Sequence, residues 1–195
     1  MNYIIIGLLT LNVLNSKIEN FNTVSIMKYF HQKYGREEVA YTEVLDEVKY
    51  WSNYYGFDLD FALSFFAIES GFTYVCKSNC DARGLGQVTK IALDDYNKHN
   101  KSQISFESLY DYKTNIMVSL GYLSLCEKRY NGIIENKKDL VVSYNIGIGN
   151  LQKLKSDAYG YKSVSDSAKR YYAKFCEAYN MFKHTKRRNY GFILQ

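Results

Sequence analysis

The sequence predicts a single, mainly helical domain, and three observations carry that prediction. Apolar residues recur at three- and four-residue steps over several long stretches, the spacing that gathers them on one face of a helix. No stretch of useful length alternates apolar and polar residues as a half-buried strand would. No repeat and no linker divides the 195 residues, a length that suits one domain with a real core.

The elements follow in order. The apolar run from Ile4 to Leu14 is too short to span a bilayer comfortably and resembles the core of a signal peptide. No Lys or Arg precedes it and no clean small-x-small site follows, so Ser16 is the best candidate for the last residue removed. The competing reading of residues 1–16 is an apolar N-terminal helix packed on the domain. Residues 17–42 read as a helical extension with a short helix near 24–33. From Thr42, a possible cap, to Tyr54 the apolar positions Val44, Leu45, Val48 and Trp51 mark an amphipathic helix that Gly56 ends. Asp58 or Asp60 then caps a helix carrying Phe61, Leu63, Phe65, Phe66 and Ile68, which stops near Ser70-Gly71. It is apolar on most sides and is expected at the centre of the core.

Residues 71–87 read as an irregular loop with Ser78, Asn79, Asp81, Gly84 and Gly86. Helices follow from Thr89 to Tyr96, from the Asp111 cap to Tyr130, and up to Tyr144, where Gly147 and Gly149 break the pattern. A last helix starts at Asp166 or Ser167 and runs through Tyr171, Tyr172, Phe175 and Tyr179 to Phe182. The domain itself is expected over 43–183, with a basic tail over 184–195.

Hydrophobic content of 47% and charged content of 23% exclude wholesale disorder. The 20 tyrosines could stack on sugars or bases, but the chain is also rich in Lys, Asn and Ile and lacks proline, so coding bias explains any single one more simply. The net charge of +5 weakly favours an acidic partner. The basic end, Lys183-His184-Thr185-Lys186-Arg187-Arg188, lacks an aromatic-basic groove pattern before it, so it reads as a solvated tail and no nucleic-acid partner is expected. Four cysteines would allow two disulfides in an exported protein, and Cys76 and Cys80 are close enough to staple a loop. Reduced, buried cysteines are the alternative. One C-x3-C pair without a second pair disfavours zinc, and no cofactor is expected. The histidines His31, His99 and His184 sit in polar contexts, and no G-x-S-x-G elbow points to a nucleophilic hydrolase.

One carboxylate stands apart. Phe65-Phe66-Ala67-Ile68-Glu69-Ser70-Gly71-Phe72 surrounds Glu69 with apolar residues at the end of the central helix. Desolvation disfavours its charged form, and the negative end of the helix dipole acts in the same direction. A carboxyl kept protonated near neutral pH can serve as a general acid. On this stretch alone, a helix-end glutamate reaching water is the simpler reading.

Three separated segments then match one pattern. Glu69-Ser70-Gly71-Phe72 is followed by Ser78 and by Ala82-Arg83-Gly84-Leu85-Gly86-Gln87; Tyr144-Asn145-Ile146-Gly147-Ile148-Gly149 comes later; Tyr171 lies in the last helix. Together they resemble the soluble lytic transglycosylase family, which has a goose-type lysozyme-like fold. That family reads E-S-x-F, a serine, G-A-x-G-L-M-Q, A-Y-N-A-G-x-G and a helical tyrosine. Asn115-Ile116 and Tyr122-Leu123 also look like its N-I-x-x-G-x-x-Y-L helix, with Ser119 in place of the glycine. The resemblance covers about residues 43–182.

The resemblance implies that Glu69 is the single acid/base cleaving the bond between N-acetylmuramic acid and N-acetylglucosamine in peptidoglycan, with closure of a 1,6-anhydro ring. It implies that Ser78 orients substrate or glutamate, that Gln87 and Tyr144 line the groove, that Asn145 shapes the turn behind it, and that Tyr171 lies close to the glutamate. Ser70, Phe72, Gly84, Leu85 and Gly147 fall on the structural positions of the motifs. It implies an enzyme of the periplasm or cell envelope, acting on glycan strands, with an envelope-spanning assembly as a candidate partner and no stable transmembrane anchor. A hydrolytic muramidase on the same fold, with Asp81 as its second carboxylate, and an inactive wall-binding scaffold are the alternatives. The sequence departs from the family at Asp81 for a glycine, Gly86 for a methionine, Thr89 for a second methionine and Ile146 for an alanine, so a wider or more polar groove floor is expected.

Overall fold

The computed structural model describes residues 2–34, 39–75, 77–156 and 162–188. Eight α-helices are described: α1 (Asn2–Tyr34), α2 (Tyr41–Tyr55), α3 (Leu59–Glu69), α4 (Lys90–Asn100), α5 (Tyr112–Arg129), α6 (Lys137–Ile146), α7 (Ile148–Lys155) and α8 (Lys162–Arg188). A 3-10 turn, Glu107–Tyr110, precedes α5. Among the described residues there is no strand; two isolated bridges, Lys77 with Arg83 and Arg83 with Val88, fold the loop between α3 and α4 on itself. No helix is long and apolar enough to cross a membrane among the described residues.

The all-round apolar helix takes the centre, as expected. Phe61, Ala62, Leu63, Phe65, Phe66 and Ala67 of α3 are buried in a core built with α1, α2, α5, α6 and α8. A smaller cluster of Val88, Ala92, Leu93, Tyr96, Leu109 and Val118 closes α4 against α5. Buried aromatic and aliphatic side chains of this size contribute about 1.5–3 kcal/mol each, so α3 is the element the fold can least spare.

The helix ends follow local chemistry. Asp111 accepts the Thr114 N–H at 2.9 Å, and Thr89 accepts the Ala92 N–H at 3.2 Å, each a side-chain cap. Gly56 closes α2 in the left-handed region at φ 78°. Asp58 occupies the cap position of α3 without a side-chain bond, and Thr42 falls inside α2. Three outlines differ from the sequence reading. The short helix at 24–33 is the end of the much longer α1; α8 begins before Asp166; and Gly149 lies inside α7, because Gly147 at φ 80° makes the break alone. Among the described residues, the buried positions of α1 lie at Thr23, Met27, Phe30 and His31 and those of α8 at Ala168, Phe175, Ala178 and Phe182, and tertiary packing of this kind is not registered by a search for local stop signals.

Candidate active site

Glu69 is the last residue of α3. Beyond Ser70 the chain turns through two consecutive left-handed residues, Gly71 at φ 59° and Phe72 at φ 65°. Glycine adopts this freely, but a buried phenylalanine does so only where its surroundings fix it. Phe72 is wholly buried and meets Phe182 of α8 edge-on at 6.4 Å. Packing of the α8 end thus shapes the turn that presents Glu69.

Earlier in α8, the Tyr171 hydroxyl donates to Glu69 Oε1. Burial pushes the Glu69 carboxyl up to about 7, while the Tyr171 bond pulls the other way. Burial and the neighbouring Glu69 charge raise the hydroxyls of Tyr171 and Tyr144 well above their ordinary range. Both therefore stay neutral donors around a carboxyl that titrates near neutrality.

Tyr144, at the end of α6, sets its ring edge-on to Phe65 of α3 at 4.8 Å and donates its hydroxyl to the Gly86 carbonyl at 2.7 Å. The loop carrying Gly86 is clamped from below by Asn115 of α5. Asn115 Oδ1 accepts the Gly86 N–H at 2.8 Å, and Nδ2 donates to the Arg83 and Leu109 carbonyls at 2.9 and 2.8 Å. The approach is close enough to require glycine at 84, where a Cβ would lie 2.8 Å from Asn115 Cγ and φ is 69°. Arg83 ties the same loop outward: its guanidinium bonds Glu107 at 2.5 Å and lies 3.9 Å from the Phe106 ring centroid.

The other expected site residues divide. Gln87, left-handed at φ 50°, donates Nε2 to the Gly84 carbonyl at 2.9 Å and stands beside Tyr144 and Asn145 on a cleft of about 350 Å³. Thr89, Tyr122 and Cys126 also line that cleft, and Glu69 does not. Tyr144 joins the two regions. Ser78 accepts the Cys80 and Ala82 N–H groups at 3.2 and 3.1 Å, so its oxygen organises its own loop. Leu85 is wholly buried, Ser70 is buried with its hydroxyl unbonded among the described residues, and Gly147 accepts the turn at the end of α6. Asp81 is exposed and pairs with Lys77 at 2.9 Å and Arg83 at 3.5 Å, and the Lys77 bond first of all holds its carboxyl below the usual range. Cys76 lies outside the described residues, and Cys80 is an exposed free cysteine. Among the described residues no cluster of three or more His, Cys, Asp or Glu could hold a metal.

The departures at 86 and 119 prove to be one feature. A Cβ on Gly86 would collide with Ser119 Oγ and lie 2.7 Å from Ser119 Cβ and 3.3 Å from Phe66 Cε1. The space above Gly86 is filled by Ser119 of α5. Asn115, Ser119 and Tyr122 therefore belong to the machinery around the cleft. Their only sequence signal was the N-I-x-x-G-x-x-Y-L likeness, because a clamp between a helix and a loop 30 residues earlier has no local pattern.

Comparison with known proteins places this arrangement. No curated relative matches the sequence. Among solved structures, an inactive mutant of the lytic transglycosylase Slt from Pseudomonas aeruginosa superposes with a TM-score of 0.52 at 17% identity over 73% of this chain. The chain corresponds to 21% of that protein's length, so the likeness concerns the fold. The model of the transglycosylase SLT domain matches residues 46–166, more than half of the chain. The apolar central helix ending in Glu69 and the loop clamped beside it fall within that match, Tyr171 lies just beyond its end, and the chain belongs to the transglycosylase SLT domain family.

Proposed function

We propose that this protein is a peptidoglycan lytic transglycosylase that cleaves the β-1,4 bond from N-acetylmuramic acid to N-acetylglucosamine and leaves 1,6-anhydro ends. The observation that carries the reading is Glu69: a carboxyl raised to about 7 by burial and bonded by the hydroxyl of a neutral tyrosine. Glu69 in its protonated form gives its proton to the glycosidic oxygen as the C1–O bond breaks. The resulting carboxylate then takes the proton from the C6 hydroxyl, whose oxygen bonds to C1. Glu69 ends protonated again, and no water is consumed. The substrate's own hydroxyl takes the place of the water that an inverting or retaining hydrolase must position with another carboxylate.

Around it, Tyr171 orients the carboxyl, and Tyr144 lines the cleft while resting its ring on Phe65 of the helix that ends in Glu69. Gln87 and Asn145 contact the sugar, and Ser78 shapes the loop from which it is gripped. The substrate is the glycan strand of peptidoglycan. Export to the periplasm or cell envelope, removal of residues 1–16, a catalytic unit over 43–183 and work beside an envelope-spanning assembly complete the reading. The muramidase alternative needs a free carboxylate, and the ion pairs of Asp81 disfavour that residue for the task.

The test is digestion of purified peptidoglycan with mass spectrometry of the products. Anhydro ends from wild-type protein and none from Glu69→Gln are expected. Reducing ends would make the protein a muramidase, and no soluble product would leave a wall-binding protein.

A further inference from the structure

Glu69 is approached from a side that the family likeness does not include. His31 of α1 is buried and brings Nδ1 to 3.2 Å from the carbonyl oxygen of Gly71, forty residues later in the chain. A carbonyl oxygen can only accept, so Nδ1 carries the proton in this bond. Tyr41 packs edge-on against the imidazole at 5.8 Å between centroids. The bonded carbonyl belongs to the first of the two left-handed residues that follow Glu69. The N–H groups of Ser70 and Gly71 close the end of α3 on the Phe66 and Ala67 carbonyls, both at 3.2 Å, so the peptide that His31 holds is continuous with the last turn of the helix.

A second contact comes from the same helix. Phe30, next to His31, stacks on Phe182 at 6.1 Å, and Phe182 meets Phe72. Thus α1 reaches the strained turn twice, once by a hydrogen bond to Gly71 and once through an aromatic relay to Phe72. Strained backbone of this kind persists only where the surroundings over-determine it. Yet α1 ends at Tyr34, upstream of the matched residues 46–166.

We propose that His31 is a positioning residue which, by holding the Gly71 carbonyl, fixes the backbone from which the Glu69 carboxyl is presented, and that the C-terminal end of α1 therefore extends the catalytic unit upstream of residue 43. The inference rests on the acid/base role proposed for Glu69. Misplacement of a catalytic group lowers turnover while leaving groove contacts to the substrate in place.

The experiment compares the full chain with His31→Asn, His31→Gln and His31→Leu, measuring kcat and KM on peptidoglycan well below each variant's thermal midpoint. Asparagine can place an amide N–H near the Nδ1 position, glutamine places it one bond further out, and leucine offers none. His31→Asn is expected to stay within about 3-fold of wild-type kcat, and His31→Gln and His31→Leu to lose about 10-fold or more with KM little changed. Equal kcat in all three, or losses that simply follow the folded fraction, would overturn the inference. If His31→Leu does not fold, the Asn–Gln pair decides it alone. Glu69→Gln is run alongside: product equal to wild type would remove the functional reading itself, whereas an inactive Glu69→Gln beside a fully active His31→Gln would remove only the role of His31.

Discussion

Glu69 and Asp81 are twelve residues apart, and the fold treats them in opposite ways. Glu69 ends an apolar helix, meets no cation among its described contacts, and has its carboxyl raised to about 7 by burial. Asp81 stands on an exposed loop between Lys77 and Arg83 and is held ionised. Desolvation dominates at the first and charge pairing at the second. The difference teaches that a carboxylate's chemistry here is set by what the tertiary structure packs against it. Two acids in one stretch of sequence are not thereby an acid–base pair.

Substitution at the two positions tests this contrast most directly. Glu69→Gln is expected to lower turnover by about 10² to 10⁴-fold, the usual range for losing a general acid/base, with glycan binding retained in a pull-down on intact wall. Retained turnover would break the contrast at once. Stability should move the other way. An unfolded glutamate titrates near 4.5 and the folded Glu69 near 7, so the carboxyl's contribution is intact below pH 4.5, is lost as pH rises through 7, and stays lost above. Glu69→Gln is therefore expected to exceed wild type by up to roughly 3 kcal/mol at pH 8 and to match it near pH 4, read from denaturant unfolding.

The loop just after Asp81 gives a middle-sized effect. Gly86→Met would drive a side chain into Ser119 and Phe66, and overpacking of this kind costs about 1–3 kcal/mol. Adding Ser119→Gly should recover most of that loss in unfolding experiments, because the two positions share one space. Additive losses would separate them.

Smaller effects sharpen the electrostatics. The Tyr171 bond lowers the Glu69 pKa, so Tyr171→Phe should carry the descending limb of the kcat–pH profile to higher pH. A limb that moves down or stays would remove Tyr171 from contact with the acid. Asp81→Asn should leave the product and its rate unchanged. A switch in product, or a large fall in rate, would return Asp81 to the chemistry.

Much of this was legible before the fold was known. The periodicity of 42–54, the helix start at Thr89, the cap at Asp111 and the break at Gly147 are short-range signals, and each lies where it was read. The apolar helix before Glu69 was equally plain. Less was legible where contacts run through space. His31 looked like one of three histidines in polar surroundings, and it is buried against the turn that follows Glu69. Ser78 was expected to reach the glutamate or the substrate, and its described bonds run to its own loop. The substitutions at 86 and 119 looked independent until they met in the core.

What the sequence by itself determined is the set of helices and the placing of one glutamate at the end of the most apolar of them. Hydrophobic period, caps and glycines act over a few residues and can be read within a few residues. Only the tertiary structure decided how that glutamate is held: Tyr171, which the family likeness put near it, donates to it from 102 residues downstream, His31 stands behind its turn, and Asn115 lies beneath the neighbouring loop. Each of these is a directional bond between distant segments, formed because packing α1, α5 and α8 on α3 brings donors to acceptors that no local pattern pairs.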